Sequence, residues 1–223
     1  MSLVYKRGFG FGHGMRERGV GLIFIISAPS GTGKTTLLRE VIQKLPGLQF
    51  SVSFTTRLPR PNEKEGEDYH FVSHSTFQKM VEKKSFLEWA EVLGNRYGTP
   101  RPDFKKLELE GVDLILDIDT QGTKKVMKEI GHPVLIYLLP PSLKVLKERL
   151  VNRGGDSLEM VKFRLSNARK DIEEAHGYHY VIVNDSMEDA VKKLESIIIA
   201  ERCRRGKDLI LEENKREWEE KDG

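Results

Sequence analysis

Hydrophobic positions along this chain change rhythm several times, and each change marks an element. Leu22-Ile23-Phe24-Ile25-Ile26 is an unbroken apolar run of strand length, as a strand covered on both faces requires. A glycine-rich turn follows, then a helix-period stretch over about 34–45, stopped by Pro46-Gly47. Residues 50–100 have another character, with short strand-like pieces at 69–72 and 86–89, many turn residues, and a helix near 75–84. Regular alternation then resumes. Strands over 113–119, 133–139 and 180–183 interleave with helices over 120–130, 142–151, 157–175 and 187–202. Strands alternating with helices predict an α/β fold: a parallel sheet with helices on both faces, in three layers, carrying a small β-rich insertion. After Arg204 the chain is densely charged, built from helix formers with no clear stop.

Composition narrows the picture. The chain has 223 residues, which suits one domain with inserted lobes. No apolar run approaches the ~18 residues of a membrane span. The single cysteine, Cys203, excludes an internal disulfide framework and a cysteine-based zinc site, and points to a reducing cytoplasm. On an apolar helix, Cys203 is expected to pack inward. The net charge of +3 resides in residues 1–20, where Lys6, Arg7, Arg16 and Arg18 stand against Glu17. A neutral body lacks the basic face of a general nucleic-acid binder. Residues 1–20, with their glycine-rich 8–14 segment, read as a flexible extension without the long apolar stretch of a secretory signal.

Candidate chemistry begins in the first turn. Ala28-Pro29-Ser30-Gly31-Thr32-Gly33-Lys34-Thr35 lies between the first strand and the first helix and resembles the phosphate-binding P-loop, with Ala28 in place of the usual first glycine. Gly31 and Gly33 permit backbone angles that turn successive N–H groups into one concavity, and the helix N-terminus adds partial positive charge. Lys34 reaches β- and γ-phosphates in such a loop, and the Thr35 hydroxyl is a Mg²⁺ ligand. In the insertion, Ser51-Val52-Ser53-Phe54-Thr55-Thr56-Arg57-Leu58-Pro59-Arg60 sets two guanidinium groups three residues apart. They suit a phosphate dianion, or are simply solvated surface arginines. Glu88 alone would read as a surface carboxylate beside a packing tryptophan. Asp117 and Asp119, two apart on a strand, share a face, with Leu114, Leu116 and Ile118 on the other.

Together these segments resemble guanylate kinase. The resemblance rests on 51–60, Gly66-Glu67-Asp68-Tyr69, Phe86-Leu87-Glu88-Trp89-Ala90, Gly94-Asn95-Arg96-Tyr97-Gly98-Thr99, Ile115-Leu116-Asp117-Ile118-Asp119-Thr120-Gln121-Gly122 and Val181-Ile182-Val183-Asn184-Asp185, in that family's order and spacing over about residues 20–203. It implies a P-loop kinase fold with a nucleotide-monophosphate lobe and a lid. The expected organisation is an extension at 1–20, core at 21–52, a GMP-binding lobe at 53–100, core at 101–148, a lid at 149–165, and core plus charged tail at 166–223. It implies the reaction ATP + GMP → ADP + GDP, with dGMP accepted, aided by Mg²⁺.

Carried over residue by residue, Ala28, Pro29, Ser30, Gly31, Thr32, Gly33, Lys34, Thr35 and Thr36 hold ATP, with Asn184 and Asp185 near the adenine. Arg57, Arg60, Tyr69 and Tyr97 hold the GMP phosphate. Ser53, Glu88, Gly98, Thr99 and Asp119 surround the guanine, and Asp117 completes the GMP set and reaches Mg²⁺ through water. Lys34, Arg57, Arg149, Arg153 and Arg164 would serve the transfer, the last three from the lid. Arg149 and Arg153, four apart on a helix, would share a face. Partners are then ATP and GMP, with no membrane and no specific nucleic acid, and the chain acts as a monomer or small homo-oligomer. The competing reading is a non-catalytic guanylate-kinase-like interaction module. Such modules typically carry a degraded P-loop, whereas Gly33-Lys34-Thr35 is intact.

Overall fold

The computed structural model describes residues 21–221 apart from 62, 93 and 153–156. The predicted extension 1–20, the lid residue Arg153 and the Gly154-Gly155 pair therefore lie outside the described residues. The chain opens with β1 (Ile23–Ser27), α1 (Lys34–Lys44) and β2 (Leu48–Phe50). It then leaves the main sheet through β3 (Phe54–Thr55), β4 (His70–Phe71), α2 (His74–Glu82), β5 (Phe86–Val92) and β6 (Asn95–Pro100). It returns through α3 (Phe104–Glu110), β7 (Asp113–Asp117), α4 (Thr120–Val126), β8 (Val134–Leu139) and α5 (Leu143–Asn152). It closes with α6 (Leu158–Glu173), a 3-10 turn Glu174–Gly177, β9 (Tyr180–Val183) and α7 (Met187–Lys221).

The predicted parallel sheet is present, in the order β2-β7-β1-β8-β9 with every pair parallel. Alternation along β1 explains its two-sided burial. Phe24 and Ile26 pack with Leu37, Leu38 and Val41 of α1 and Leu194 and Ile198 of α7. Ile25 faces the other way, onto Leu114, Leu116, Ile118 and Val126. Phe24 is fully buried, and its truncation to alanine would cost about 3–5 kcal/mol. The parallel strands all end at one edge, and the loops after β1, β7 and β9 converge there, as open α/β sheets require for a ligand cleft.

The insertion forms its own four-stranded sheet, order β4-β3-β6-β5, with β5 and β6 an antiparallel hairpin turned at Gly94 (φ +75°). The ladder slips by one residue between Phe86 and Glu88. The extra residue, Leu87, enters the core cluster beneath α4, while Glu88 stays opposite Thr99.

Several elements differ from expectation. The strand predicted over 113–119 ends at Asp117, because Asp119 leaves the ladder to cap α4, accepting the Gly122 N–H at 2.7 Å. Alternation holds up to that point, with Ile115 and Leu116 buried in opposite clusters. The helix predicted to Ile130 ends at Val126, where bonding tightens into turns such as Lys128 N–H to the Lys125 carbonyl. Helix α3 buries no residue, so it left no apolar stripe; Asp103 caps its start and Gly111, at φ +59°, ends it. Strand β6 is equally silent in apolar pattern, being made by its hairpin partner. Cys203 is exposed rather than packed, since α7 buries Leu194, Ile198 and Glu201 on the opposite side. Among the described residues no helix is long and apolar enough to cross a membrane.

Candidate functional site

The loop between β1 and α1 is built to leave donors free. Gly31 and Gly33 adopt φ of +91° and +95°. A Cβ on Gly31 would stand 2.8 Å from Leu150, and one on Gly33 2.8 Å from the Asn184 amide nitrogen. Thr32, 1% exposed, folds the loop by bonding its hydroxyl to the Pro29 carbonyl at 2.7 Å. Helices α2, α3, α4 and α6 start with side-chain caps from Ser73, Asp103, Asp119 and Ser157. Helix α1 starts at Gly33 with no side-chain cap and no acidic residue in its first turn. Its first N–H groups thus remain for an anion.

Below the loop is a brace. Asn184, 2% exposed, donates through Nδ2 to the Thr32 carbonyl at 2.7 Å. Arg149 on α5 donates to the same carbonyl at 3.2 Å and to the Asn184 carbonyl at 3.1 Å. Arg164 on α6 donates to the Ser30 hydroxyl at 2.6 Å. Two of the three predicted lid arginines are therefore brought to the loop; the third, Arg153, is outside the described residues. Asn184 acts here as a loop support, a role its position after a strand did not announce. Asp185 beside it is exposed, and Ala28 packs against the main core.

At the mouth of the loop, Lys34 pairs with Asp117 at the end of β7. Thr35 and Thr36 are exposed at the start of α1. Among the described residues no three His, Cys, Asp or Glu side chains gather into a protein cage for a metal. A hydroxyl and one carboxylate beside a phosphate loop nevertheless fit Mg²⁺, which keeps waters and takes most other oxygens from phosphates.

A second basic cluster lies in the small sheet. The Arg57 guanidinium takes both oxygens of Glu63, each at 2.9 Å, and also bonds the Leu58 carbonyl at 2.7 Å. Glu63 in turn accepts the Arg60 backbone N–H at 2.8 Å, with the Arg60 guanidinium 3.6 Å away. Burial opposes ionisation of Glu63, but the Arg57 bonds and the Arg60 N–H outweigh it and hold its pKa below the usual range. Burial likewise works against the charge on Arg57, and the Glu63 bonds more than reverse it, with nearby Tyr97 adding to the effect. The Tyr69 ring lies 5.5 Å below the guanidinium and 6.0 Å from the Tyr97 ring. Burial, then the charge of Asp117, keeps the Tyr69 phenol protonated and so a donor. Arg57, Arg60, Tyr69 and Tyr97 thus converge as expected. Sequence reading missed Glu63, whose only signal was its place three residues after Arg60.

Deeper in the seam between the sheets, Glu88 accepts the Thr99 hydroxyl at 2.7 Å. Burial first, and the nearby Asp119 charge in addition, raise its pKa above the ordinary value despite the Thr99 bond. Gly122 sits between the two acids. A Cβ there would lie 3.2 Å from the Glu88 carboxylate and 3.3 Å from Asp119 Oδ1. Gly98 is equally constrained, since a Cβ would stand 2.8 Å from the Phe86 ring. Ser53 is half-buried one residue before β3, and its carbonyl accepts the His70 N–H at 2.9 Å. Asp117 and Asp119 separate in function: one meets Lys34, the other caps α4 beside Glu88.

Behind these groups the Tyr178 hydroxyl lies 2.8 Å from that of Ser27 and 3.1 Å from that of Thr123, its one proton shared between them, and Ser27 donates to the Ile118 carbonyl (2.6 Å). This buried hydroxyl set joins the end of β1 to the turn that carries Asp119, and sequence reading gave no sign of it.

Known proteins resemble this chain over most of its length. A family profile described as guanylate kinase matches residues 21–201. The chain is 49% identical over 184 residues to a guanylate kinase of Geobacter sulfurreducens, covering 82% of this chain and 91% of that one. It is 43% identical over 202 residues to one of Clostridium perfringens, covering 90% and 94%. The crystal structure of guanylate kinase from Anaplasma phagocytophilum superposes with a TM-score of 0.69 at 35% identity, over 82% of this chain and 87% of that one.

Proposed function

This chain belongs to the guanylate kinase family, and from that premise we propose how its residues carry out transfer of the γ-phosphoryl group of ATP to GMP, giving ADP and GDP. The ATP phosphates lie on the uncapped start of α1, within reach of Lys34. The GMP phosphate lies against Arg57, Arg60, Tyr69 and Tyr97. Guanine lies between Ser53, Glu88, Thr99 and Asp119. In this division 53–100 receives GMP and 149–165 closes over ATP.

One observation carries the acceptor assignment. Glu88 is a desolvated carboxylate that accepts the Thr99 hydroxyl through one oxygen and retains acceptor capacity on the other. Guanine presents N1–H and an N2 amino group side by side, and a carboxylate accepts from both. Adenine has an acceptor at N1 and would leave Glu88 buried and unmatched, a mismatch worth orders of magnitude in discrimination.

The attacking GMP oxygen is already anionic, so the chemistry needs no general base. Catalysis is then alignment plus neutralisation of charge as the phosphoryl group moves in line. Lys34, which pairs with Asp117, would turn its ammonium to the β- and γ-phosphates. Arg149 and Arg164 approach from the lid side, with Arg153 between them in sequence. Magnesium bound with ATP supplies further charge neutralisation; the Thr35 hydroxyl, and Asp117 through water, would hold it.

The test is ADP release with GMP, AMP, UMP and CMP as acceptors. GMP should exceed the others by at least about 10²-fold in kcat/KM. Comparable turnover of AMP would overturn the assignment of Glu88. The interaction-module reading is disfavoured by the intact loop, and turnover itself excludes it.

A further inference from the structure

One ion pair bridges the two bodies at the phosphate end of the cleft. Arg39 lies on α1, five residues after Lys34, and its Nη2 meets Asp68 Oδ1 at 2.5 Å. Asp68 belongs to the inserted lobe and immediately precedes Tyr69. Its side chain is only 8% exposed, against 50% for Arg39. The other Asp68 oxygen accepts the Lys64 N–H at 2.9 Å, and the Asp68 N–H returns to the Lys64 carbonyl at 3.1 Å. Asp68 therefore closes the 64–68 turn with one oxygen and reaches the core with the other. Glu63, which grips Arg57, directly precedes that turn. Two other polar ties between the bodies, Lys125 to the Trp89 carbonyl (2.8 Å) and Arg101 to Glu129 (2.7 Å), both lie at α4 or just beyond it, on the guanine side.

We propose that Arg39 and Asp68 are positioning residues for GMP: their ion pair tethers the loop that receives the acceptor phosphate to the helix that carries the ATP loop. The proposal rests on the placement of the GMP phosphate at Arg57, Arg60 and Tyr69. Transfer between two bound nucleotides requires the reacting atoms to approach within about 3.5 Å, and an error of about 1 Å is costly. A lobe tied to the core only near α4 is free to pivot about that seam. The Arg39–Asp68 contact fixes the far end of the lever. It touches neither nucleotide, so it governs the acceptor's alignment and leaves ATP affinity alone.

The experiment compares Arg39→Ala, Asp68→Asn, the double variant and the charge swap Arg39→Asp with Asp68→Arg, with Arg57→Ala in parallel. Asp68→Asn retains an oxygen for the Lys64 N–H. Each single change should lower kcat/KM for GMP about fivefold, with the KM for ATP within about twofold of the parent. The double variant should be no worse than the poorer single one. The swap should recover activity relative to Arg39→Asp alone. Melting temperatures accompany each variant; if Asp68→Asn loosens the turn, Arg39→Ala, at a half-exposed helix position, still decides. Unchanged GMP kinetics in the singles, or additive losses in the double, would overturn the tether. If Arg57→Ala leaves GMP use intact, the phosphate-site reading itself fails. If Arg57→Ala cripples GMP use while Arg39→Ala does not, only the tether fails.

Discussion

At the end of the cleft proposed for ATP, the groups left free for a ligand are mainly backbone N–H groups, and their supports are buried or half-buried. Thr32, Asn184 and the Arg149 guanidinium lock the loop from below, and two glycines at positive φ shape it. At the end proposed for GMP, the converging groups are side chains, and their supports are other side chains. Arg57 is aimed by Glu63, Glu88 by Thr99, and the strands beneath include two of only two residues each. In the proposed reading, the first end gains its charge complementarity from the fold itself and so suits a phosphate tail whatever base it carries. The second gains it from particular functional groups, which is how a site comes to choose one base. The same contrast sets tolerance: a backbone receptor fails through steric change, a side-chain receptor through loss of a charge or a hydrogen-bonding atom.

The contrast can be sharpened by variants at each end. Lys34→Ala should lower kcat by about 10³-fold while equilibrium GMP binding stays near the parent value. Near-normal turnover would show that the ammonium is not in the transition state. Gly122→Ala pushes a methyl toward both Glu88 and Asp119, and should raise the KM for GMP about tenfold without moving that for ATP. A parallel rise for ATP would mean that the substitution disturbs the core sheet instead. Glu63→Gln keeps the shape but weakens the grip on Arg57, and a GMP KM about fivefold higher is expected. A lower KM would mean that Glu63 competes with the phosphate rather than orienting its receptor.

The smallest effect concerns pH. Burial raises the Glu88 pKa, so the protonated form, which cannot accept from both guanine donors, appears at higher pH than for an ordinary carboxylate. The KM for GMP should therefore start to climb at a higher pH than an ordinary carboxylate would dictate as the solution is acidified, while that for ATP changes less. The sign for stability is the reverse. A raised folded-state pKa favours the neutral acid, so Glu88 weighs against the fold as pH rises through that pKa. Glu63 behaves oppositely: its lowered pKa supports the fold above the usual carboxylate range, and the support is lost as pH falls.

The same contrast explains how much was legible in the sequence. The P-loop was readable because backbone geometry demands particular residues at fixed spacing, Gly31 and Gly33 before Lys34 and Thr35. The main sheet was readable because two-sided burial forces unbroken apolar runs such as 22–26. Strand β6 and helix α3 were not, because their order comes from a hairpin partner and from caps rather than from an apolar stripe. Glu63, Asp68 and the Ser27–Thr123–Tyr178 hydroxyls were missed for a related reason. Each matters through a partner six to 151 residues away, and nothing in its own neighbourhood signals that partner. Asp119 was placed on a strand by periodicity, whereas its cap bond to Gly122 N–H competes better than one more ladder position.

The central claim, that acceptor choice resides in side chains at one end and not in the shared phosphate loop, is tested most directly by Glu88→Gln. An amide retains one acceptor but presents an N–H to guanine's own donors. The account predicts that kcat/KM for GMP falls by about 10²-fold or more while the KM for ATP holds within about twofold. Equal losses for both nucleotides, or an unaltered preference for GMP over AMP, would contradict it.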